Sequence, residues 1–161
     1  MKKTLLFAFA SIVVGCEGPP PMELDDLVVQ GQIYLDPQTR EPFSGPVESH
    51  VDGELFERGT LDRGVRDGQW EYYLDDHLSW RGSYKQGELH GWSVDYDEQG
   101  RLLTRVMYAN GVEDGPYEMY DEGVLWLVGA HSAGEPCGSW TAFGVPLDSY
   151  APCAPSTTPP G

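Results

Sequence analysis

The chain of 161 residues is long enough for one domain with a modest hydrophobic core. It carries 26 acidic residues against 10 basic residues, so its formal net charge at pH 7 is -16. An acidic excess of this size repels nucleic-acid phosphates and anionic lipid headgroups. It therefore argues against both as partners of the protein surface.

Residues 1–15 have the organisation of a secretory signal peptide. Lys2 and Lys3 are followed by a mostly apolar run over residues 5–14, and a small residue, Gly15, ends the segment. This run is too short to cross a hydrocarbon core of about 30 Å. The segment therefore predicts export and cleavage rather than a permanent transmembrane helix.

The end of this segment also bears on membrane anchoring. The letters "VVGC" at residues 13–16 resemble the bacterial lipobox, in which an aliphatic residue and two small residues precede a cysteine. The resemblance implies that the thiol of Cys16 is diacylated and that cleavage makes this residue the new N-terminus, anchored by two or more acyl chains. Glu17 stands where such families often use aspartate for inner-membrane retention, so the outer membrane is favoured in a Gram-negative cell. An ordinary cleaved signal followed by a chance cysteine is the alternative.

Composition divides the exported chain into three parts. Residues 16–29 contain three consecutive prolines and are predicted to form a flexible tether. Residues 30–148 are predicted to form the folded domain. Residues 149–161, which are rich in proline, serine and threonine, are predicted to form a disordered tail.

Two further cysteines, Cys137 and Cys153, are sixteen residues apart. Because oxidation is expected in an exported protein, we predict a disulfide, which would add about 3 kcal/mol of stability in the chain-entropy account. Unpaired thiols are the alternative. Neither cysteine has a Cys-x-x-Cys partner or a histidine pair nearby, so the sequence predicts no metal site there.

The domain is built on a repeat of about 23 residues. One column of glycines is spaced by 23, 23, 24 and 23 residues: Gly45, Gly68, Gly91, Gly115 and Gly138. A second column follows nineteen or twenty residues behind the first: Gly64, Gly87, Gly111 and Gly134. Each unit has an aromatic-rich stretch, an acidic turn and a stretch that alternates with period two, which predicts a β-hairpin.

Aligned units place residues of the same type in columns. One column of the second strands is mostly arginine: Arg58, Arg81, Arg105 and Val128. The first strands supply a column that is mostly glutamate and could face the arginines: Glu48, Glu71, Val94 and Glu118. We predict a charge ladder on a solvated face; a row of ligand-binding arginines is the alternative. Two more columns are predicted to share the opposite face: Leu55, Leu78, Leu102 and Leu125, and Gly59, Gly82, Val106 and Gly129.

Aromatic side chains are frequent in these units and have two possible roles. In a single-layer sheet they are expected first to stack between hairpins as the core. Surplus rings would form a groove for a peptide or a glycan, and the candidate binding surface is Trp70, Tyr72, Trp80 and Trp92. Trp70 and Tyr73 are three residues apart, which a regular strand places on opposite faces. Either a β-bulge separates them or both faces are partly apolar.

Units such as "GQWEYYLDDHLSWRGSYKQGELHG" (68–91) and "GPYEMYDEGVLWLVGAHSAG" (115–134) resemble the bacterial variant of the MORN repeat. The lead-in "IYLDPQTREPFSGPV" (33–47) is similar to the opening of YwqK-like proteins. The resemblance implies an all-β fold, a single-layer, elongated, twisted meander of repeated hairpins. It also implies an interaction platform, and some relatives of this kind are labelled antitoxin components.

The sequence shows no catalytic constellation. It lacks a Gly-x-Ser-x-Gly elbow and a phosphate-binding loop, and a nucleophile made from Cys137 and His131 would be lost if Cys137 is oxidised. The fragment "DYDEQG" (95–100) resembles the start of an EF-hand loop, but Gln99 and Val106 replace required carboxylates. An acidic hairpin turn is predicted there, with a weak cation site as the alternative.

These features predict a lipid-anchored protein of the cell envelope that is not an enzyme and carries no cofactor or metal. Its expected partners are the membrane, through the acyl groups on Cys16, and a protein of unknown identity. An antitoxin-like or immunity protein that neutralises a toxin is one alternative. A module that binds glycan or peptidoglycan through its aromatic face is another.

Overall fold

The structure is a computed structural model that describes residues 19–154. The predicted signal peptide, residues 1–15, and the predicted lipidation site, Cys16, lie outside the described residues. Within them the chain forms fourteen strands and one short 3-10 helix, Leu24–Asp26. The strands are β1 (Met22–Glu23), β2 (Val28–Gln30), β3 (Ile33–Leu35), β4 (Gly45–Val51), β5 (Glu54–Asp62), β6 (Val65–Arg66), β7 (Gly68–Leu74), β8 (His77–Lys85), β9 (Glu88–Tyr96), β10 (Leu102–Ala109), β11 (Val112–Asp121), β12 (Val124–Ser132), β13 (Glu135–Ala142) and β14 (Val145–Ser149).

Most of these strands belong to one long open sheet. Its order is β1-β4-β5-β7-β8-β9-β10-β11-β12-β13-β14, with β6 beside β5, while β2 and β3 form a separate two-stranded sheet. Strand β1 runs parallel to β4, and the other neighbours run antiparallel. The hairpins β4–β5, β7–β8, β9–β10, β11–β12 and β13–β14 coincide with the five predicted units. The predicted all-β meander of repeated hairpins is confirmed.

A β-bulge lies near the turn of each of the first four hairpins. In the second hairpin Tyr72 pairs with Trp80, but the next pair is Tyr73 with Leu78, so Ser79 is the extra residue. Tyr73 lies two residues after Glu71 in β7 and therefore shares its face, and the Tyr73 hydroxyl donates a hydrogen bond to the Glu71 carboxylate at 2.8 Å. Because the bulge is in the partner strand β8, Trp70 and Tyr73 lie on opposite faces of β7, and both faces carry aromatic rings.

The same bulge corrects one predicted column. Leu78 pairs with Tyr73, and cross-strand partners share a face, so Leu78 lies on the face of Glu71. Gly82 pairs with Trp70 on the other face. The prediction that the leucine and glycine columns share one face was wrong in this unit, because an unpaired residue between the columns reverses the alternation.

The second column of glycines forms the tight turns between hairpins. Asn110 and Gly111 both have positive φ, 50° and 79°, as a two-residue hairpin turn of this kind requires. The glycine N–H in each turn also donates to a carbonyl of the preceding unit, at 2.7 to 2.9 Å: Gly64 to Phe43, Gly87 to Arg66, Gly111 to Leu89 and Gly134 to Glu113. These bonds hold successive units in register, which explains the nearly constant period.

The main hydrophobic core lies at the N-terminal end of the sheet, where the leading segment covers one face. Its buried members are Leu24, Leu27, Val47, Leu61 and Trp70. The prediction that residues 16–29 form a flexible tether was wrong from residue 22 onward, since β1 pairs with β4 and two leucines of the segment are 6% exposed. Burial of those leucines outweighs the flexibility that the neighbouring prolines suggested. None of the helices in this part of the chain is long and apolar enough to span a membrane.

The C-terminal end is also more ordered than its composition predicted. Strand β14 continues to Ser149, the N–H of Tyr150 donates to Gly138, and the N–H of Gly138 donates to Ala151, both at 2.8 Å. Cys137 and Cys153 are joined by a disulfide, with their Cα atoms 4.9 Å apart. The prediction that residues 149–161 are disordered was therefore wrong for residues 149–153, which the disulfide and backbone hydrogen bonds hold against β13.

Candidate functional site

One face of the sheet carries the predicted arginine and glutamate ladder and is called the ladder face. Its centre is Glu71, which is 8% exposed. Arg58 contacts the Glu71 carboxylate at 2.6 Å, Arg81 contacts it at 2.8 Å, and the Tyr73 hydroxyl donates to it at 2.8 Å. Further along, Arg105 lies 3.4 Å from Glu118. The predicted pairing of arginines with glutamates is thus present at Glu71 and Glu118 but not at Glu48, whose register partner Arg58 binds Glu71 instead. Glu71 is the most buried acceptor of the three.

The environment of Glu71 favours its charged form. Burial alone would raise the pKa of this carboxyl group, but hydrogen bonds from Tyr73, Arg58 and Arg81 hold the pKa below its usual value. Burial also raises the pKa of Tyr73, and the adjacent carboxylate raises it further. Both arginines are thus engaged by a structural carboxylate, which leaves the ladder less suited to a bound anion.

The opposite face, called the aromatic face, carries Trp70, Tyr72 and Trp80. Trp70 is 0% exposed, and its indole N–H donates to the carbonyl of Thr60 at 3.1 Å. Its ring also fills the space where a side chain on Gly59 would lie. The prediction that Trp70 belongs to a binding surface was therefore wrong, because its ring is part of the core.

Neighbouring rings on the aromatic face are covered by a cation of the protein itself. The guanidinium of Arg66 lies 4.3 Å from the ring centre of Trp70 and 5.7 Å from that of Tyr72. Arg66 is held there by an ion pair with Glu57 at 2.9 Å. Tyr72 and Trp80 also pack edge to face, with ring centres 5.3 Å apart.

Trp92 does not join the other three predicted aromatics. It pairs with Met107 on the ladder face, and the guanidinium of Arg105 lies 3.8 Å from its ring centre. The four predicted residues are thus divided between two faces: Trp70, Tyr72 and Trp80 on one, and Trp92 on the other. The candidate surface was wrong as a single site, since strand alternation separates its members.

A groove lies along the edge of the sheet where the hairpin turns of units two, three and four meet. We call it the turn-edge groove. Its volume is about 770 Å³, and it is lined by Leu74, Asp75, His77, Leu78, Ser79, Tyr96, Asp97, Glu98, Gln99, Arg101, Leu103, Asp121 and Glu122. The equal period of the units brings three turns to one edge, so residues that are distant in sequence line one groove.

Charge in the turn-edge groove is unbalanced. Five carboxylates line it: Asp75, Asp97, Glu98, Asp121 and Glu122. The one arginine among the lining residues, Arg101, already pairs with Asp97 at 2.6 Å. Partial desolvation would raise the pKa of Asp97, but hydrogen bonds from the backbone and side chain of Arg101 hold it below its usual value. The groove therefore keeps a net negative charge at neutral pH.

Asp97 also decides between the two interpretations of residues 95–100. Its Oδ1 atom accepts hydrogen bonds from the backbone N–H groups of Gln99 and Arg101, at 2.9 and 2.8 Å. These contacts are typical of an Asx turn that closes a hairpin. The carboxylate stabilises this turn, which agrees with the predicted acidic hairpin turn.

The acidic edge also exposes apolar side chains. Leu74 is 62% exposed and Leu103 is 38% exposed, and both line the groove. Just beyond it, Val124 follows the turn of unit four and is 63% exposed. Sequence reasoning identified the acidic turns but missed these apolar neighbours. The available signal was an apolar residue directly beside several of the turns.

The pair Cys137 and His131 offers no free nucleophile in this fold. Cys137 is bonded to Cys153, and the ring of His131 packs edge to face on Tyr117 and Trp140, with ring centres 5.3 Å apart in both cases. His131 thus occupies a position among aromatic rings.

Comparison with protein-family models, curated proteins and solved structures finds no match for this chain.

Proposed function

We propose that this protein is a lipid-anchored, non-enzymatic scaffold of the cell envelope that binds a protein partner through the turn-edge groove. The observation that carries the proposal is the combination of five carboxylates with exposed apolar side chains in one groove. Apolar side chains of a partner could pack on the exposed leucines of the groove, and the carboxylates that also line it give it a negative charge. A MORN-type array with this edge would serve as an interaction platform.

The chemistry of the groove specifies the partner. Leu74 and Leu103 would contact apolar side chains, while Asp75, Asp121 and Glu122 would attract lysine or arginine. The partner is therefore a basic polypeptide segment with apolar anchor residues. The net charge of the chain would accelerate the encounter with such a segment at low ionic strength.

An antitoxin-like or immunity role stays compatible with this groove, because a basic toxin would satisfy the same chemistry. A glycan-binding role has less support, because the two faces use their aromatic rings for internal contacts. Trp70 is buried, Tyr72 lies beside Arg66, and Trp92 lies beneath Arg105.

Binding can be tested on the full chain with a synthetic basic peptide that alternates lysine with leucine, and with the same peptide carrying glutamate for lysine. We expect the basic peptide to bind and the acidic peptide not to bind, with affinity that falls as salt rises. Asp121→Lys should weaken binding strongly. Glu88→Lys changes charge equally but lies outside the turn-edge groove, so it should have a small effect. Equal losses in the two variants would contradict the proposal.

The location of the natural interface can be tested in cells. A photoreactive amino acid at Leu103 lies in the groove, whereas the same group at Val29, which is 57% exposed, lies outside it. We expect the Leu103 position to give a specific cross-linked product that Asp121→Lys removes. A product of equal yield from Val29 would contradict binding at the groove.

Anchoring is tested separately by labelling cells with an alkyne fatty acid. We expect label on the wild-type chain and none on Cys16→Ser, which should leave the membrane fraction. A labelled Cys16→Ser variant would contradict the lipoprotein proposal without bearing on the groove.

A further inference from the structure

The geometry points to a divalent-cation site, of the type that zinc occupies, formed by Glu23, Glu48 and His50. One ligand atom from each residue lies within 4.8 Å of the other two. Two carboxylates and one imidazole are a donor set that suits zinc, which accepts both oxygen and nitrogen ligands. The site lies at the N-terminal end of the sheet, away from the residues of the turn-edge groove.

The backbone brings these three residues together. Strand β1 runs parallel to β4, with Glu23 beside Glu48. Glu48 and His50 are two residues apart on β4, so their side chains leave the same face of the strand. The Nδ1 atom of His50 lies 2.7 Å from Oε1 of Glu23. Three ligands are thus positioned by one pair of strands.

The charges around the site favour a cation. Glu23 and Glu48 are like charges in directly neighbouring positions, an arrangement that destabilises a sheet unless a positive charge compensates it. Arg58 pairs with Glu48 in the strand register, but its guanidinium binds Glu71 at 2.6 Å. Glu48 makes no ion pair within 4.0 Å with any residue of the described part of the chain. A bound dication would place a positive charge beside both carboxylates.

The site is accessible to a metal ion from solvent. Glu48 lines an open groove of about 400 Å³, and His50 is on the surface. Zinc bonds of about 2.0–2.2 Å place neighbouring ligand atoms about 3.3 Å apart in a tetrahedron. The three ligand atoms lie within 4.8 Å of one another, so they would have to approach by up to about 1.5 Å to bind zinc together. The remaining position would be open to water.

Binding here would have a structural consequence. Glu23 belongs to β1, the first strand of the described chain, and β1 is only two residues long, with Met22 opposite Val47 and Glu23 opposite Glu48. A metal shared by Glu23 and β4 would fix this strand to the sheet. It would therefore stiffen the junction between the folded domain and the preceding segment.

The test is a calorimetric titration of the full chain with zinc after treatment with a chelator. We expect one zinc ion per chain at this site, with at least tenfold weaker binding in His50→Gln and in Glu48→Gln. His77→Gln removes a surface histidine outside the cluster and is the matched control, with unchanged affinity expected. Unchanged affinity in both cluster variants would overturn the proposal.

A second measurement does not depend on the folding of a variant. In the wild-type chain, zinc should shift the imidazole NMR signals of His50 and slow amide exchange in β1 and β4 relative to β14. Magnesium, a poor match for imidazole, should cause neither change at the same concentration. Zinc-induced changes confined to His77 or His90 would place the ion elsewhere and overturn the assignment.

Discussion

The ladder face makes a quantitative prediction about Glu71. Replacement by glutamine keeps the size of the side chain but removes the charge that Arg58 and Arg81 share. A hydrogen bond to a charged group contributes about 1.5–3 kcal/mol, and glutamine can still accept one of the three bonds. The two arginine side chains are about half exposed, which reduces the loss through solvent screening. We expect Glu71→Gln to lower the free energy of unfolding by about 2 kcal/mol at pH 7.

The pH dependence gives the effect a definite sign. The pKa of Glu71 is lower in the folded chain than in the unfolded chain, where it is about 4.3. Its contribution is therefore fully present above that value and is lost as pH falls through the folded pKa. Urea unfolding of the wild type and Glu71→Gln should give curves that differ at pH 7 and converge as the pH falls through the folded pKa of Glu71.

A matched variant at Glu118 distinguishes the buried, doubly paired Glu71 from a more exposed ion pair. Glu118 occupies the equivalent position two units later, but its nearest arginine atom is 3.4 Å away and its side chain is 21% exposed. We expect Glu118→Gln to cost less than about 1 kcal/mol. If the two glutamine variants cost the same, or if the cost of Glu71→Gln does not change with pH, the account of the ladder is refuted.

Two further predictions concern packing and the C-terminal crosslink. Gly59→Ala should lower the free energy of unfolding, measured in urea, by about 1–3 kcal/mol, because the added Cβ atom would overlap the Trp70 ring. The same substitution should cost much less in a Trp70→Leu background, where the ring is absent. Cys153→Ser should lower the free energy of unfolding by about 3 kcal/mol and increase amide exchange in β14. If reduction of the wild type leaves amide exchange in β14 unchanged, the disulfide does not hold the C-terminal end of the sheet.

The repeat made the fold predictable, because two glycine columns and period-two strands left few alternatives to a meander of hairpins. Gly111, for example, has a positive φ, and a glycine at a turn position in the sequence predicts that conformation. The tether boundary was harder to predict. Leu24 and Leu27 stand next to three prolines, and composition alone does not show that a 3-10 turn folds them back onto Trp70.

The candidate site was less predictable for a geometric reason. Whether an aromatic ring can contact a ligand depends on the face of the sheet on which it lies and on the side chains of neighbouring strands that pack against it. The bulge at Ser79 and the position of Arg66 over Trp70 are contacts between distant residues, which local pattern does not encode. The proposed cation site at Glu23, Glu48 and His50 was not predicted for the same reason, because Glu23 was assigned to the tether and so had no predicted neighbour.

Side chains on the two faces of the sheet already make internal contacts, whereas several at the turn edge do not, and this difference supports the proposed binding site. On the ladder face Glu71 engages two arginines, and on the aromatic face Arg66 covers the rings of unit two. These internal contacts replace the second layer that a single sheet lacks. Binding a ligand on either face would first have to break them, at a cost to stability. At the turn edge, Leu74 and the surrounding carboxylates can be used without breaking such contacts, and this difference is the physical reason for placing recognition there.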